Sequence, residues 1–242
     1  MEIKLIRLDE TDSTNAYLKS YSPIGTDEIV VATADYQTAG KGQGTHTWES
    51  EAGKNLLFSI LVQPSWVPVG KQFLLSMAGA IALKTALDAY ADGISLKWPN
   101  DVYWNDRKIS GTLIETAIDS KGIKRCIFGI GLNVNQTVFR SDAPNPVSLA
   151  QIVGHEVDRQ EVLDKILNAF CEYYELMRRS DYIDIAGIYH ASLYRRNGYH
   201  RYEDKEGVFE GALVEVEDDG HLILHDKNGC IRSYAFGELK FL

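Results

Sequence analysis

Residues 94–135 read ISLKWPNDVYWNDRKISGTLIETAIDSKGIKRCIFGIGLNVN. Four runs rich in β-branched and apolar residues follow one another here: Ile94 to Trp98, Asp101 to Trp104, Lys108 to Ala117 and Arg125 to Asn135. The breaks between them are Pro99-Asn100, Asn105-Asp106 and Ser120-Lys121-Gly122, residue types that close hairpins by fixed φ, tolerance of positive φ or local side-chain hydrogen bonds. Parallel neighbours need a crossover of a dozen or more residues, so strands joined this tightly pair antiparallel. The stretch sets the expected fold class: α+β, with a mixed or antiparallel central sheet and packed helices.

Working outward toward the amino terminus, Asn55 to Gln63 reads as a strand, Glu28 to Ala34 as a buried strand and Ile3 to Leu8 as a short one. Gln72 to Tyr90 has the length and apolar density of a core helix, and Asp12 or Ser13 offers an N-cap for a short helix through Leu18. The loop Tyr36 to Lys54 holds Gly40, Gly42, Gly44 and Gly53. Toward the carboxyl terminus, Gln136 to Pro146 is a loop and Ser148 to Val153 a helix. Asp158 with Glu161 spells a capping box for a helix to about Arg178, and Tyr182 to Leu193 reads as another. After Arg195 the pattern alternates through Val208 to Glu217, His221 to Asp226 and Ile231 to Phe236, joined by Asp218-Asp219-Gly220 and Lys227-Asn228-Gly229. The expected division is a main domain of residues 1–194 and a small β-barrel of residues 195–242 that leans on it.

The 242 residues carry 25 Lys+Arg against 34 Asp+Glu, a formal charge of −9 that repels a polyanion, so nucleic acid is not an expected partner. The opening MEIKLIRLDETDSTN is neither a signal peptide nor an anchor. Phe73 to Leu87, the longest apolar run, is too short and too often interrupted to span a bilayer. Cys126, Cys171 and Cys230 show no metal or redox spacing, which points to reduced thiols in a cytoplasm.

Three segments carry chemistry. Gly40-Lys41-Gly42-Gln43-Gly44 fails both the Walker pattern and the dinucleotide fingerprint, and Gly129-Ile130-Gly131 fails the latter too, with Val134 where a third glycine belongs. Glycines nevertheless let backbone N–H groups approach an anion, and Lys41 adds a positive charge. In the second segment a Pro-Asn turn sets Asn100 and Asp101 at the end of an apolar strand, where Asp101 is poised to hold Mg²⁺ or orient a substrate, and Lys108 lies just past the next turn. In the third, Ser13, Thr14 and Asn15 sit at a helix start, where their polar groups either cap the backbone or bind an uncharged polar ligand.

Taken in order, DSTN at 12–15, ADYQTAGKGQGTHTW at 34–48, NLLFSI at 55–60, KWPND at 97–101, RKISGTLIE at 107–115 and GIGLNVN at 129–135 resemble the catalytic core of biotin protein ligases, and the likeness runs through nearly the whole chain. It implies a class II synthetase-like core with a carboxyl-terminal SH3-like β-barrel. The implied activity joins biotin and ATP with Mg²⁺ into biotinyl-5'-AMP, then transfers biotin to a lysine of a biotin carboxyl carrier protein. By position it implies biotin contacts from Ser13, Thr14, Asn15, Gln37, Gly40, Lys41, Gly42, Gln43, Lys108 and Gly111. ATP contacts are implied for Lys41, His46, Trp48, Lys97, Asn100 and Asn133. Catalytic roles fall to Lys108, Lys41 and Asp101, the last as the Mg²⁺ ligand. The segment Thr137 to Val147 matches one that orders around adenine. A homodimer is the assembly held open.

The loop departs from the family's more frequent Gly-Arg-Gly-Arg or Gly-Arg-Gly-Gln, since Lys41 replaces a bidentate arginine by a point charge and His46 stands where some members have a cation. Ser13 begins the pattern only a dozen residues in, so no amino-terminal DNA-binding domain is expected. Two rivals stand beside this reading: a lipoate or octanoyl protein ligase, which shares an Asn-Asp then Lys-Ile-x-Gly pattern, and a biotin-sensing regulator without catalysis.

Overall fold

Side chains alternate across a strand, so a strand buried on both faces must be apolar at every position, and Leu56–Val62 is such a strand. The computed structural model describes residues 2–22, 25, 27–44, 46–141, 143 and 145–242. Met1 of the opening stretch, Thr45 of the glycine loop, and Asp142 and Pro144 of the Thr137–Val147 segment therefore lie outside the described residues.

The first part of the chain runs β1 (Glu2–Thr11), α1 (Thr14–Ser20), β2 (Glu28–Gln37), β3 (Leu56–Val62), α2 (Phe73–Leu87), β4 (Ile94–Lys97), β5 (Asp101–Trp104), β6 (Arg107–Asp119) and β7 (Gly122–Leu132). Three helices follow: α3 (Leu149–Val153), α4 (Arg159–Arg178) and α5 (Tyr182–Ala191). The strands form one seven-stranded sheet in the order β1-β2-β3-β7-β6-β5-β4. Only β1 and β2 pair in parallel, with α1 as their crossover. The mixed sheet and its hairpins are those the 94–135 pattern predicts.

Phe58, Ile60, Phe128 and Ile130 share one core with α2 and α4, whereas Val30, Ala32, Leu61 and Ile127 pack with Leu18 of α1. On β7 the positions in phase with Ile127 are Gly129 and Gly131, so the α1 side of the sheet opens where side chains stop. The opposite side is closed: α2 is apolar nearly all round because α4 and α5 cover what the sheet does not.

The last part forms a five-stranded antiparallel sheet, ordered β11-β10-β9-β8-β12, from β8 (Tyr199–Asp204), β9 (Gly207–Val216), β10 (Leu222–Asp226), β11 (Ile231–Tyr234) and β12 (Lys240–Phe241). Three of these strands are predicted from alternation. β8 was not, because YHRYED buries only Tyr202, and β12 is two residues long. The turn between β9 and β10 docks on the main sheet: Trp98 Nε1 donates to the Gly220 carbonyl at 2.9 Å, and Phe236 packs edge-on against Trp98 at 5.3 Å.

The capping box expected at Asp158 and Glu161 does not form. Asp158 alone accepts from the Gln160 and Glu161 N–H groups, while the Glu161 carboxylate turns to the Tyr90 hydroxyl and Lys165. The reciprocal box is at α3, between Ser148 and Gln151. Among the described residues no helix is long and apolar enough to cross a membrane.

Candidate active site

A cleft of about 1000 Å³ lies on the α1 side of the sheet, and its floor is glycine. A Cβ on Gly129 would sit inside 3.0 Å of Asn15 Oδ1, and one on Gly131 inside 3.0 Å of the Trp48 indole. Gly111, opposite Gly131 across the strands, carries Trp48 at 3.1 Å and Lys108 Nζ at 3.2 Å from the same notional atom. The three glycines let Asn15, Trp48 and Lys108 lie flat on backbone. Gly129 and Gly131 escaped the sequence reading as site residues; their signal was the Gly-x-Gly spacing, which in a strand puts both on one face.

At one end of the cleft, Ser13 is the N-cap residue of α1 yet its side chain makes no cap hydrogen bond, so the buried hydroxyl faces the cleft without that duty. Gln37 Oε1 accepts from the Thr14 N–H at 2.7 Å and its hydroxyl at 3.1 Å. Ser59 Oγ lies 2.7 Å from Thr14 Oγ1 and 2.6 Å from Asn15 Oδ1, and Asn15 Nδ2 donates to Glu115 Oε2 at 2.9 Å. Glu115 is in turn held by Lys19 at 2.7 Å. Ser59 and Glu115 were missed, although a lone hydroxyl in the fully buried run LLFSILV needs a buried polar partner.

In the middle, Lys108 Nζ pairs with Asp101 at 2.7 Å and stands 5.8 Å over the Trp48 ring. The Pro-Asn turn achieves this placement: Asn100 Nδ2 donates to the Thr112 carbonyl at 2.6 Å while the Thr112 N–H donates to the Asn100 carbonyl at 2.9 Å. One N–H of the Asn100 amide thus pins the turn, and Asn100 still lines the cleft. Lys97 lies against the Tyr103 hydroxyl at 2.9 Å and over the rings of Tyr103 and Phe241 at 4.6 and 5.1 Å. Burial holds its pKa below that of a free lysine despite the nearby Asp101 charge. Phe241 and Lys240 bring the carboxyl-terminal sheet to the cleft, a contribution with no signature in the sequence.

At the far end two buried polar atoms have no partner among the described residues: Trp48 Nε1 and Asn133 Oδ1, whose own Nδ2 donates to the Val147 carbonyl at 3.2 Å. Both atoms belong to residues that line the cleft, and a buried polar atom without a protein partner calls for a function. The glycine loop is a tight hairpin over this end. The Gly42 N–H donates to the His46 carbonyl at 2.8 Å and the Trp48 N–H to the Gly40 carbonyl at 3.1 Å, which brings Lys41, Gln43 and His46 to the cleft wall.

A second, open concavity of about 620 Å³ is lined by His190, Glu217 and Asp219 among others and shares no lining residue with the cleft. Among the described residues, Glu217, Asp219 and His221 are the only group of three or more such side chains spaced to hold a metal. Its carboxylates repel anionic substrates, whereas the cleft collects lysines.

An uncharged polar pocket beside a lysine–aspartate pair and an aromatic wall suits an enzyme that activates a small carboxylic acid with a nucleotide. Residues 8–133 match the biotin/lipoate A/B protein ligase family, and the chain belongs to that family. Similar proteins include the biotin--[acetyl-CoA-carboxylase] ligase of Paracoccus denitrificans, 30% identical over 92% of this chain and 94% of that one. The bifunctional ligase/repressor BirA of Bacillus spizizenii is 29% identical over 96% of this chain and 72% of its own length. The solved biotin protein ligase from Aquifex aeolicus in complex with biotin and ATP superposes with a TM-score of 0.81 at 28% identity, covering 99% of each chain.

Proposed function

We infer that this chain is an ATP-dependent biotin protein ligase. It joins biotin and ATP into biotinyl-5'-AMP and pyrophosphate, then passes the biotinyl group to a lysine of a biotin carboxyl carrier protein. The observation that carries the reading is the convergence of a hydroxyl-and-amide pocket, the Lys108–Asp101 pair and the unpartnered Trp48 and Asn133 atoms along one glycine floor. The relatives that bear the name biotin ligase, and a neighbour solved with biotin and ATP, support biotin over lipoate.

In this reading the ureido ring of biotin takes the pocket of Ser13, Thr14, Asn15 and Gln37, and adenine lies against Trp48 with Asn133 accepting from it. Lys108 exchanges part of its contact with Asp101 for the biotin carboxylate and the α-phosphate, offsetting the repulsion between two anions, with Lys41 closing from above. A carboxylate oxygen attacks the α-phosphorus, the bond to the β-phosphate oxygen breaks, and pyrophosphate leaves. Two carboxylates line the cleft, Glu49 and Asp101; Glu49 is taken up by the Arg140 and Ser141 N–H groups, so Asp101 is the one that would hold Mg²⁺, which would supply neutralisation of phosphate charge. A single available carboxylate fits that mode, because magnesium is commonly held by one or two carboxylates plus substrate oxygens. In the second half, the acceptor amine attacks the acyl carbonyl, AMP leaves, and Asp101 is placed to take the proton. We take residues 195–242 as a separate domain that completes the cleft mouth. The three unpaired cysteines support a cytoplasmic setting.

The test is the mass of an acceptor carrier domain before and after incubation with the protein, Mg-ATP and either biotin or lipoate. A biotin-sized gain that requires ATP is expected. Equal labelling by lipoate, or none by biotin, would sink the reading.

A further inference from the structure

Glu49 follows Trp48 in the chain and its carboxylate is engaged by the backbone of a distant segment. Its Oε1 accepts from the Arg140 N–H at 2.8 Å and from Gln136 Nε2 at 3.3 Å, and its Oε2 from the Arg140 N–H at 3.0 Å and the Ser141 N–H at 2.6 Å. Behind it Gln136, only 2% exposed, donates to the Val138 carbonyl at 2.9 Å and accepts from the Glu51 N–H at 2.9 Å and from Asn55 Nδ2 at 2.7 Å. Asn55 completes the tie by accepting from the Val134 N–H at 3.0 Å. Phe139 and Ser141 line the cleft on one side of this network and Trp48 on the other.

We propose that Glu49 is a positioning residue that latches the 137–141 segment to the segment that carries Trp48, so that the two covers of the nucleotide half of the cleft close as one unit and retain the acyl adenylate. The consequence for the adenylate rests on the biotin ligase reading; the latch itself does not. A carboxylate suits the site because N–H donors face both oxygens: an amide whose oxygen kept the Ser141 bond would turn its NH₂ toward Gln136 Nε2 and the Arg140 N–H, leaving the Gln136 donor unpaired and setting N–H against N–H at Arg140. The same donors hold the Glu49 carboxyl below its ordinary range in spite of burial, so the latch is charged at neutral pH. Loop closure matters because the mixed anhydride must be kept from water until the acceptor lysine arrives.

Amide hydrogen exchange in the free protein tests the latch, and kinetics test its consequence. In Glu49→Gln the amides of Arg140 and Ser141 should exchange about tenfold faster. The KM for ATP and the dissociation rate of biotinyl-AMP should each rise about tenfold, with kcat and the biotin dissociation constant within about twofold. Glu49→Asp, which keeps both acceptors on a shorter stem, should fall between Glu49→Gln and wild type in every readout. Exchange at those two amides unchanged in Glu49→Gln would overturn the latch, whatever the enzyme does with biotin. Unchanged or tighter nucleotide binding would overturn it too, since that result would mean the carboxylate merely occupies N–H groups an anionic ligand could use. A wild type that binds biotin yet forms no adenylate would count against the ligase reading alone, because the exchange result needs no substrate.

Discussion

Lys108 is held by Asp101 on one side and faces Trp48 on the other, so its charge is pre-positioned where the proposed reaction would bring two anions together. Lys108→Ala should fold but lose adenylation by about a hundredfold or more, the range for an electrostatic contact made in the transition state, read as biotin-dependent pyrophosphate release. An unchanged rate at saturating substrates would show that the lysine is only a solvated turn residue. Two glycines on β7 permit a sharper test. Gly129→Ala drives a methyl into Asn15, and Gly131→Ala drives one into Trp48, two positions along the same strand. If the cleft is divided as proposed, Gly129→Ala should weaken biotin binding about tenfold and spare the KM for ATP, and Gly131→Ala should do the reverse. Titration calorimetry with biotin and steady-state kinetics with ATP check the crossing; both variants failing on the same substrate would refute the division.

At the scale of elements, the carboxyl-terminal sheet adds to its apolar core two aspartates: Asp226, which accepts from the Asn228 and Cys230 N–H groups and from Arg232 Nε, and Asp204, which accepts from the Tyr234 hydroxyl and Arg232. The Cys230 N–H and then Arg232 hold the Asp226 carboxyl low, and the Tyr234 hydroxyl does so for Asp204. A carboxyl depressed in the folded state contributes stability that is full above the unfolded value near 4 and is lost as pH falls through the folded value. Acid should therefore loosen this sheet below about pH 4. Asp226→Asn should be the less stable protein at neutral pH, with the two denaturation curves converging in acid. Parallel curves from pH 7 to 3 would assign the stability elsewhere. These aspartates also mark where sequence reading stops. The seven-stranded sheet was legible because residues 94–135 pair locally and their turns name themselves. β8 and β12 were not: β8 forms a hairpin with β9 but buries only Tyr202, so it carries no apolar alternation, and β12 is two residues long and pairs with β8, distant in the chain. The site divides the same way. Lys108, Asp101, Trp48 and Ser13 announce themselves in contiguous motifs. Ser59, Glu115 and Phe241 reach the cleft or its supports only through the fold.

Over the whole molecule the formal charge is −9, yet the cleft gathers Lys41, Lys97, Lys108 and Lys240, around the place where the proposed function has ATP enter. An acidic exterior repels a polyanion at long range, and a basic cleft attracts it within about a Debye length, roughly 10 Å at 0.1 M salt. The balance between them sets capture of ATP and barely touches biotin, which carries a single charge. If the cleft field dominates, kcat/KM for ATP should fall several-fold as salt rises from about 0.05 to 0.5 M, while the biotin dissociation constant changes by less than about twofold. Lys240 makes the decisive variant, because it lies at the mouth on β12 and its ammonium pairs with Glu203 at 3.1 Å, an exposed contact. Lys240→Gln should flatten the salt dependence of kcat/KM for ATP and leave kcat nearly unchanged, since a rim charge governs encounter more than chemistry. A salt dependence of the opposite sign, with ATP capture improving as salt screens the acidic exterior, would mean that the −9 surface and not the lysine-lined mouth governs the approach of the nucleotide.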